Sequence, residues 1–282
     1  MQQAGGKLDS VSERPIGMLD SGLGGLSILR QIRRQLPDED VVFFADQAHV
    51  PYGPRPLEQV RAFSVAIARF LLEMEAKVIV VACNTASAAA LHHLREVIPQ
   101  VPFVGMEPAI KPAAETTRTR RVGVLATPAT FQGELFASVV ERFASGVRVF
   151  QQTLPGLVER IETGDLDSPK TREILQKAIT PLLEQGVDTL VLACTHYPFV
   201  IPQISAIAGP DVRVIDPAPA IARQAQRVLE EKGLSAPPGR GGKVTYISSG
   251  DAGRLAAMAA RLIHVSGEAR QATWEGETIR LA

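Results

Sequence analysis

The 282 residues include 30 basic and 30 acidic side chains, with 45% hydrophobic and 21% charged residues. That composition is ordinary for a globular chain long enough to bury one large core or two smaller ones. The balanced charge leaves no basic footprint for nucleic acid, and no run approaches the roughly 18 apolar residues of a membrane span, so neither partner is expected. The opening stretch MQQAGGKLDSVSER is polar and lacks the apolar segment of a secretory signal, which leads us to expect a cytoplasmic protein with residues 1–14 as a flexible tail.

Strands and helices alternate along the chain. IGMLDSG (16–22) reads as a buried strand ending in a glycine-rich turn, followed by a helix from Leu26 to Leu36 that stops at Pro37. VVFFAD (41–46) is a second strand, PYGPRP a loop, and Leu57 to Glu75 a long helix. KVIVVACNT then runs into the helix SAAALHHLREVI, and VPFVGMEPA follows. Continuous apolar strands between amphipathic helices indicate a parallel sheet covered on both faces.

The second half repeats this order. Gly123 in RVGVLATPATF matches Gly17 at an offset of 106, and Val147 in VRVFQQ matches Val41 at the same offset. TLVLACTH matches VIVVACNT at 111, and VIDPAPAI matches VGMEPAI at 109. Four pairs at nearly one spacing imply two α/β units of similar fold, a period too long for a solenoid. The expected architecture is α/β, two pseudo-symmetric parallel-sheet domains with the active site in the cleft between them. The first domain is placed at 15–105 plus 218–282 and the second at 106–217. The segment after 218, with a helix at 220–233, a strand KVTYIS and a helix near 251–264, has no partner in the repeat and most simply extends the first sheet.

Ligands of open parallel sheets bind outside the carboxyl ends of the strands. The only two cysteines, Cys83 and Cys194, stand there, each expected at the entry to a helix whose N-terminus favours thiolate. One such cysteine is most simply a small buried hydrophobe. Two at matching positions of a duplicated fold suggest chemistry: inversion of a carbon centre needs one group to remove a proton and another to deliver one on the opposite face. Asn84, Thr85 and Thr195 are hydrogen-bonding groups suited to a carboxylate. No CxxC pair or other metal-ligand spacing occurs, and none of the seven lysines sits at a strand end, so neither metal nor cofactor is expected.

The motifs IGMLDSGLGGLSIL, PYG, ACNTAS, LVE (157–159) and ACTHYP resemble those of the cofactor-independent glutamate racemases, over about Pro15 to Asp251. The resemblance implies interconversion of L- and D-glutamate for peptidoglycan synthesis, with Cys83 and Cys194 as the acid/base pair. It also implies Asp20 beside Cys83, His196 beside Cys194, and Glu159 as a carboxylate near the second thiol. Asp20, Ser21, Pro51, Tyr52, Gly53, Asn84, Thr85, Thr195 and His196 would bind the substrate. Members are often dimers, so a homodimer is possible. Where the family often has Cys-Pro-Leu before LVE, this chain has QQTLPGLVE. From the residues themselves, Asp20 also suits a helix cap, His196 a core histidine, and the GLGG glycines a turn that brings backbone close to a small ligand. Racemases or isomerases of aspartate, a hydantoin or maleate remain alternatives, as does a binding protein that has lost catalysis.

Overall fold

A computed structural model describes residues 12–282. It contains β1 (Ile16–Asp20), β2 (Val41–Ala45), β3 (Val78–Val81), β4 (Phe103–Val104), β5 (Arg121–Ala126), β6 (Arg148–Thr153), β7 (Thr189–Ala193), β8 (Arg213–Ile215), β9 (Val244–Ser248), β10 (Glu268–Glu275) and β11 (Thr278–Leu281). They form two sheets, ordered β11-β10-β9-β2-β1-β3-β4 and β6-β5-β7-β8. Every pairing is parallel except β10 with β11. The order β2-β1-β3-β4 is thus repeated as β6-β5-β7-β8, giving the expected α/β fold of two related parallel-sheet units.

The register of the repeat differs in one place from the sequence alignment. Gly17 pairs with Val42 and Ile79, while Gly123 pairs with Phe150 and Leu190. Phe150 therefore takes the place of Val42, an offset of 150 − 42 = 108 rather than 106. The misreading has a physical origin. Edge strand β6 is half-buried to exposed, whereas β1, β2, β3 and β7 are buried throughout, so its apolar signal is the weakest.

Helices cover the sheets as the apolar periodicity requires. The helix Leu26–Gln35 buries Leu26, Ile28, Leu29 and Ile32, and ends where Leu36 leaves helical geometry ahead of Pro37. One apolar cluster runs through both units, joining Leu23, Leu26 and Phe43 with Leu125, Leu192 and Tyr197. The units are therefore packed through shared core rather than merely tethered.

The chain after Ala218 supplies the helix Ala218–Glu231, strand β9 beside β2, and the helix Ala252–Ile263. It also forms a hairpin, β10–β11, that the sequence reading did not anticipate. Of β10 only Ala272 is buried, so the strand lacks a strong apolar pattern. Glu275 pairs with Thr278 across a two-residue loop whose first residue, Gly276, has φ 63°, as such hairpins favour. Residues 1–11 of the expected tail lie outside the described residues. Residues 12–14 are held: Lys77 donates to the Ser12 carbonyl, Arg240 to that of Glu13 at 3.3 Å, and Arg14 pairs with Glu75 at 3.3 Å.

No helix among the described residues is long and apolar enough to cross a membrane.

Candidate active site

A cavity of about 200 Å³ opens at the carboxyl ends of both sheets. It is smaller than the roughly 300–1,000 Å³ of sites for drug-sized ligands, so it suits a small metabolite. Ser21 enters from the end of β1, Pro51-Tyr52-Gly53 from the loop after β2, and Cys83, Asn84 and Thr85 from the end of β3. The second unit answers with Thr127 after β5, Leu154-Pro155-Gly156 after β6, and Cys194, Thr195, His196 and Tyr197 after β7. Each contributing strand end thus has a counterpart in the other unit.

Of the residues expected from sequence, Ser21, Pro51, Tyr52, Gly53, Cys83, Asn84, Thr85, Glu159, Cys194, Thr195 and His196 all line this cavity. Asp20 does not. It is fully buried behind the wall, where Oδ2 accepts from Gly25 N at 2.8 Å and Gly22 N at 3.2 Å, and Oδ1 accepts from Thr195 Oγ1 at 3.4 Å. Gly25 is itself the N-cap of the helix Leu26–Gln35, so Asp20 ties down the turn before that helix rather than capping it, and its bond to Thr195 bridges the two units. Its buried carboxyl has a raised pKa; desolvation outweighs the His196 charge and the two backbone N–H groups.

The thiols differ in setting. Cys83 is the N-cap of the helix Asn84–Val97 and its Sγ accepts from Ala86 N at 3.4 Å. Cys194 instead precedes a short 3₁₀ turn, Tyr197–Val200, and only then the helix Ile201–Ala208, so it caps no helix. For Cys83 the expected bias toward thiolate is reversed. A helix terminus contributes about 0.3–1 kcal/mol, whereas full burial moves a pKa by up to roughly 3–5 units of about 1.4 kcal/mol each. Burial first, then the Asp20 charge, push the Cys83 thiol well above its usual range, against the Ala86 and Ser21 hydrogen bonds.

At the second thiol, Cys194 Sγ lies 3.8 Å from His196 Nδ1, and His196 Nε2 lies 2.6 Å from Glu162 Oε1. Burial opposes the imidazolium. The hydrogen bonds to Cys194 and Glu162, with the charge of Glu162, outweigh it and hold the His196 pKa well above its ordinary value. The carboxylate that engages His196 is therefore Glu162, which the sequence reading did not select; Glu159 stands on the cavity wall one helical turn earlier. Leu23 N also donates to Glu162 Oε1, at 2.6 Å.

The GLGG glycines form a turn before the helix Leu26–Gln35. A Cβ on Gly22 would meet the Glu162 carboxylate, and one on Gly24 would meet Thr195 Oγ1 and come within 2.6 Å of His196 Nδ1. Gly22 and Gly24 thus let the backbone approach side chains of the other unit. Thr127, also missed, hydrogen-bonds Thr85 across the cleft at 2.9 Å. Its signal lay in the repeat, where it occupies the place of Ser21 in the first unit.

Both side-chain atoms of Asn84 are buried without a partner. An unmade buried hydrogen bond costs about 1–3 kcal/mol, so a polar ligand in the cavity would satisfy this amide. Among the described residues no group of three or more His, Cys, Asp or Glu could hold a metal ion.

Fold and cavity together define an α/β protein of two repeated units, with a small polar site between the strand ends and a thiol from each unit on its wall. The family model of Asp/Glu/Hydantoin racemases matches residues 16–225, and the chain belongs to that family of isomerases. It is 51% identical over 252 residues to a glutamate racemase of Roseiflexus sp., covering 89% of this chain and 93% of the relative. A glutamate racemase isoform of Bacillus anthracis superposes with a TM-score of 0.85 at 30% identity, covering 95% of this chain and 99% of the other. The glutamate racemase of Francisella tularensis, crystallised with D-glutamate, gives 0.79 at 27% identity, covering 90% and 95%.

Gly24→Ala is expected to lower turnover by about 10²-fold, because its Cβ would displace Thr195 and His196 on the cavity wall and a shift of roughly 1 Å at a reacting site costs that much. Gly253→Ala, whose Cβ would be 3.4 Å from Asp251 Oδ1, should be neutral in the same steady-state assay.

Proposed function

We propose that this chain is a glutamate racemase that interconverts L- and D-glutamate by moving a proton on and off Cα between Cys83 and Cys194. In this reading it works in the cytoplasm, without added cofactor, and supplies D-glutamate for peptidoglycan. The observation that carries the proposal is the arrival of one cysteine from each repeated unit at the wall of a single small cavity. Related by the repeat, the two sulfurs address opposite faces of a bound Cα, as inversion requires.

The other wall residues then take their parts. The unpartnered amide of Asn84, with Ser21, Thr85, Thr195, Tyr52 and the Gly53 backbone, holds the amino group and two carboxylates. Asp20 acts from behind on Cys83, and the His196–Glu162 pair acts on Cys194. The likeness to the glutamate racemases of Roseiflexus sp. and Bacillus anthracis supports glutamate over aspartate, a hydantoin or maleate.

Circular dichroism tests the reading. L- and D-glutamate should each decay to the same zero signal with purified protein in the presence of EDTA and without pyridoxal phosphate. Activity lost to EDTA and restored by metal, or faster turnover of aspartate or maleate, would overturn it.

A further inference from the structure

Asp46 is fully buried just beyond β2, and its carboxylate collects four side chains. Oδ2 accepts from Tyr52 OH at 2.7 Å and meets His49 Nδ1 at 2.9 Å. Oδ1 accepts from Ser249 Oγ at 2.7 Å and from Trp274 Nε1 at 2.8 Å. Ser249 follows β9 and Trp274 lies in β10, so two donors come from the C-terminal segment that has no counterpart in the second unit. The rings close the arrangement: His49 stacks on Phe63 at 4.0 Å, Trp274 meets His49 edge-on at 5.1 Å, and Tyr52 lies 5.8 Å from Phe63. Of these residues only Tyr52 lines the cavity.

We infer that Trp274 is a positioning residue for the active site, acting through Asp46 to set Tyr52 and, with it, the Gly53 backbone on the cavity wall. A buried carboxylate is held in one orientation by the donors around it. Removing the indole N–H takes away one of the three partners of Oδ1, leaving Ser249 at 2.7 Å and His49 at 3.1 Å, and lets the carboxylate turn toward those that remain. Turning moves the acceptor of the Tyr52 hydroxyl. The loop from Asp46 to Arg55 has its own hydrogen bonds, including Arg55 Nε to the His49 carbonyl at 2.7 Å, so the disturbance passes along the loop as a unit. The hairpin β10–β11 thereby becomes part of the substrate site, although none of it lines the cavity.

The inference rests on the racemase reading, and the test separates the two. Trp274→Phe keeps an aromatic ring and loses the N–H. It should raise KM for both glutamate enantiomers by about fivefold or more while kcat changes by less than about twofold, because a binding wall has moved and the acid/base pair has not. Tyr52→Phe should raise KM as well, and the double variant should be little worse than Tyr52→Phe alone, since Trp274 acts through that hydroxyl. Effects that multiply would mean Trp274 stabilises the fold independently of the site, and the inference would fall. Trp274 is the only tryptophan, so its fluorescence reports on the network without relying on activity. Tyr52→Phe should change its emission in the absence of substrate, and an unchanged spectrum would overturn the coupling. An inactive wild type would count against the racemase reading instead.

Discussion

Cys83→Ser and Cys194→Ser are each expected to abolish racemisation, at a loss of about 10³-fold or more, while each variant still removes a proton from one enantiomer. Positioned acid/base groups contribute roughly 10²–10⁴-fold, and inversion uses two of them in one turnover. The thiols come from opposite units, one after β3 and one after β7, and in the proposed mechanism each serves one face of Cα. The family resemblance assigns Cys83 to D-glutamate and Cys194 to L-glutamate. A glutamate analogue with a leaving group at C3 exposes the half-reaction: loss of the α-proton leaves an electron pair that expels the group and forms an alkene, with no second proton transfer. Cys194→Ser should eliminate from the D-configured analogue and fail on the L form, and Cys83→Ser should show the opposite pattern. Elimination from the same enantiomer by both variants would reduce one cysteine to a supporting role.

His196→Asn is expected to lower kcat by about 10²-fold with a smaller change in KM if, as proposed, it serves proton transfer more than binding. The pH profile separates this role from a structural one. His196 Nε2 faces Glu162 and Nδ1 faces Cys194, and these contacts hold its pKa well above the ordinary value against burial. Glu162→Gln removes a negative neighbour that holds the pKa up, so the imidazolium is lost at lower pH. The alkaline limb of kcat/KM should therefore move to lower pH in Glu162→Gln. A Glu159→Gln profile should keep its wild-type position. A shift in Glu159→Gln and none in Glu162→Gln would exchange the two assignments.

The Glu159 and Glu162 pair shows what limited the sequence reading. Both lie in the helix Leu157–Glu162, three residues apart and so near one another on its surface. The sequence identifies the segment. The choice between them depends on Leu23 and His196, which lie 139 and 34 positions away. Cys83 shows the same limit in electrostatics: a helix N-terminus is visible in ACNTAS, but the burial that overrides it is not. The hairpin β10–β11 was missed because its strands are mostly exposed and carry little apolar periodicity.

The amino-acid order was enough to specify the alternating α/β pattern, its duplication, and the position of both cysteines beyond buried strands. Those features are local or periodic: apolar runs form central parallel strands, and two runs with the same sequel at one offset form the same structure twice. It was not enough to show which side chains of one unit meet those of the other. Gly24 against His196, Thr127 on Thr85, Asp20 reached by Thr195, and Trp274 on Asp46 are contacts between distant segments. Tertiary packing decided them, because burial, which controls both the acidity of Cys83 and the reach of Glu162 to His196, arises only when the two sheets and the C-terminal segment close on one another.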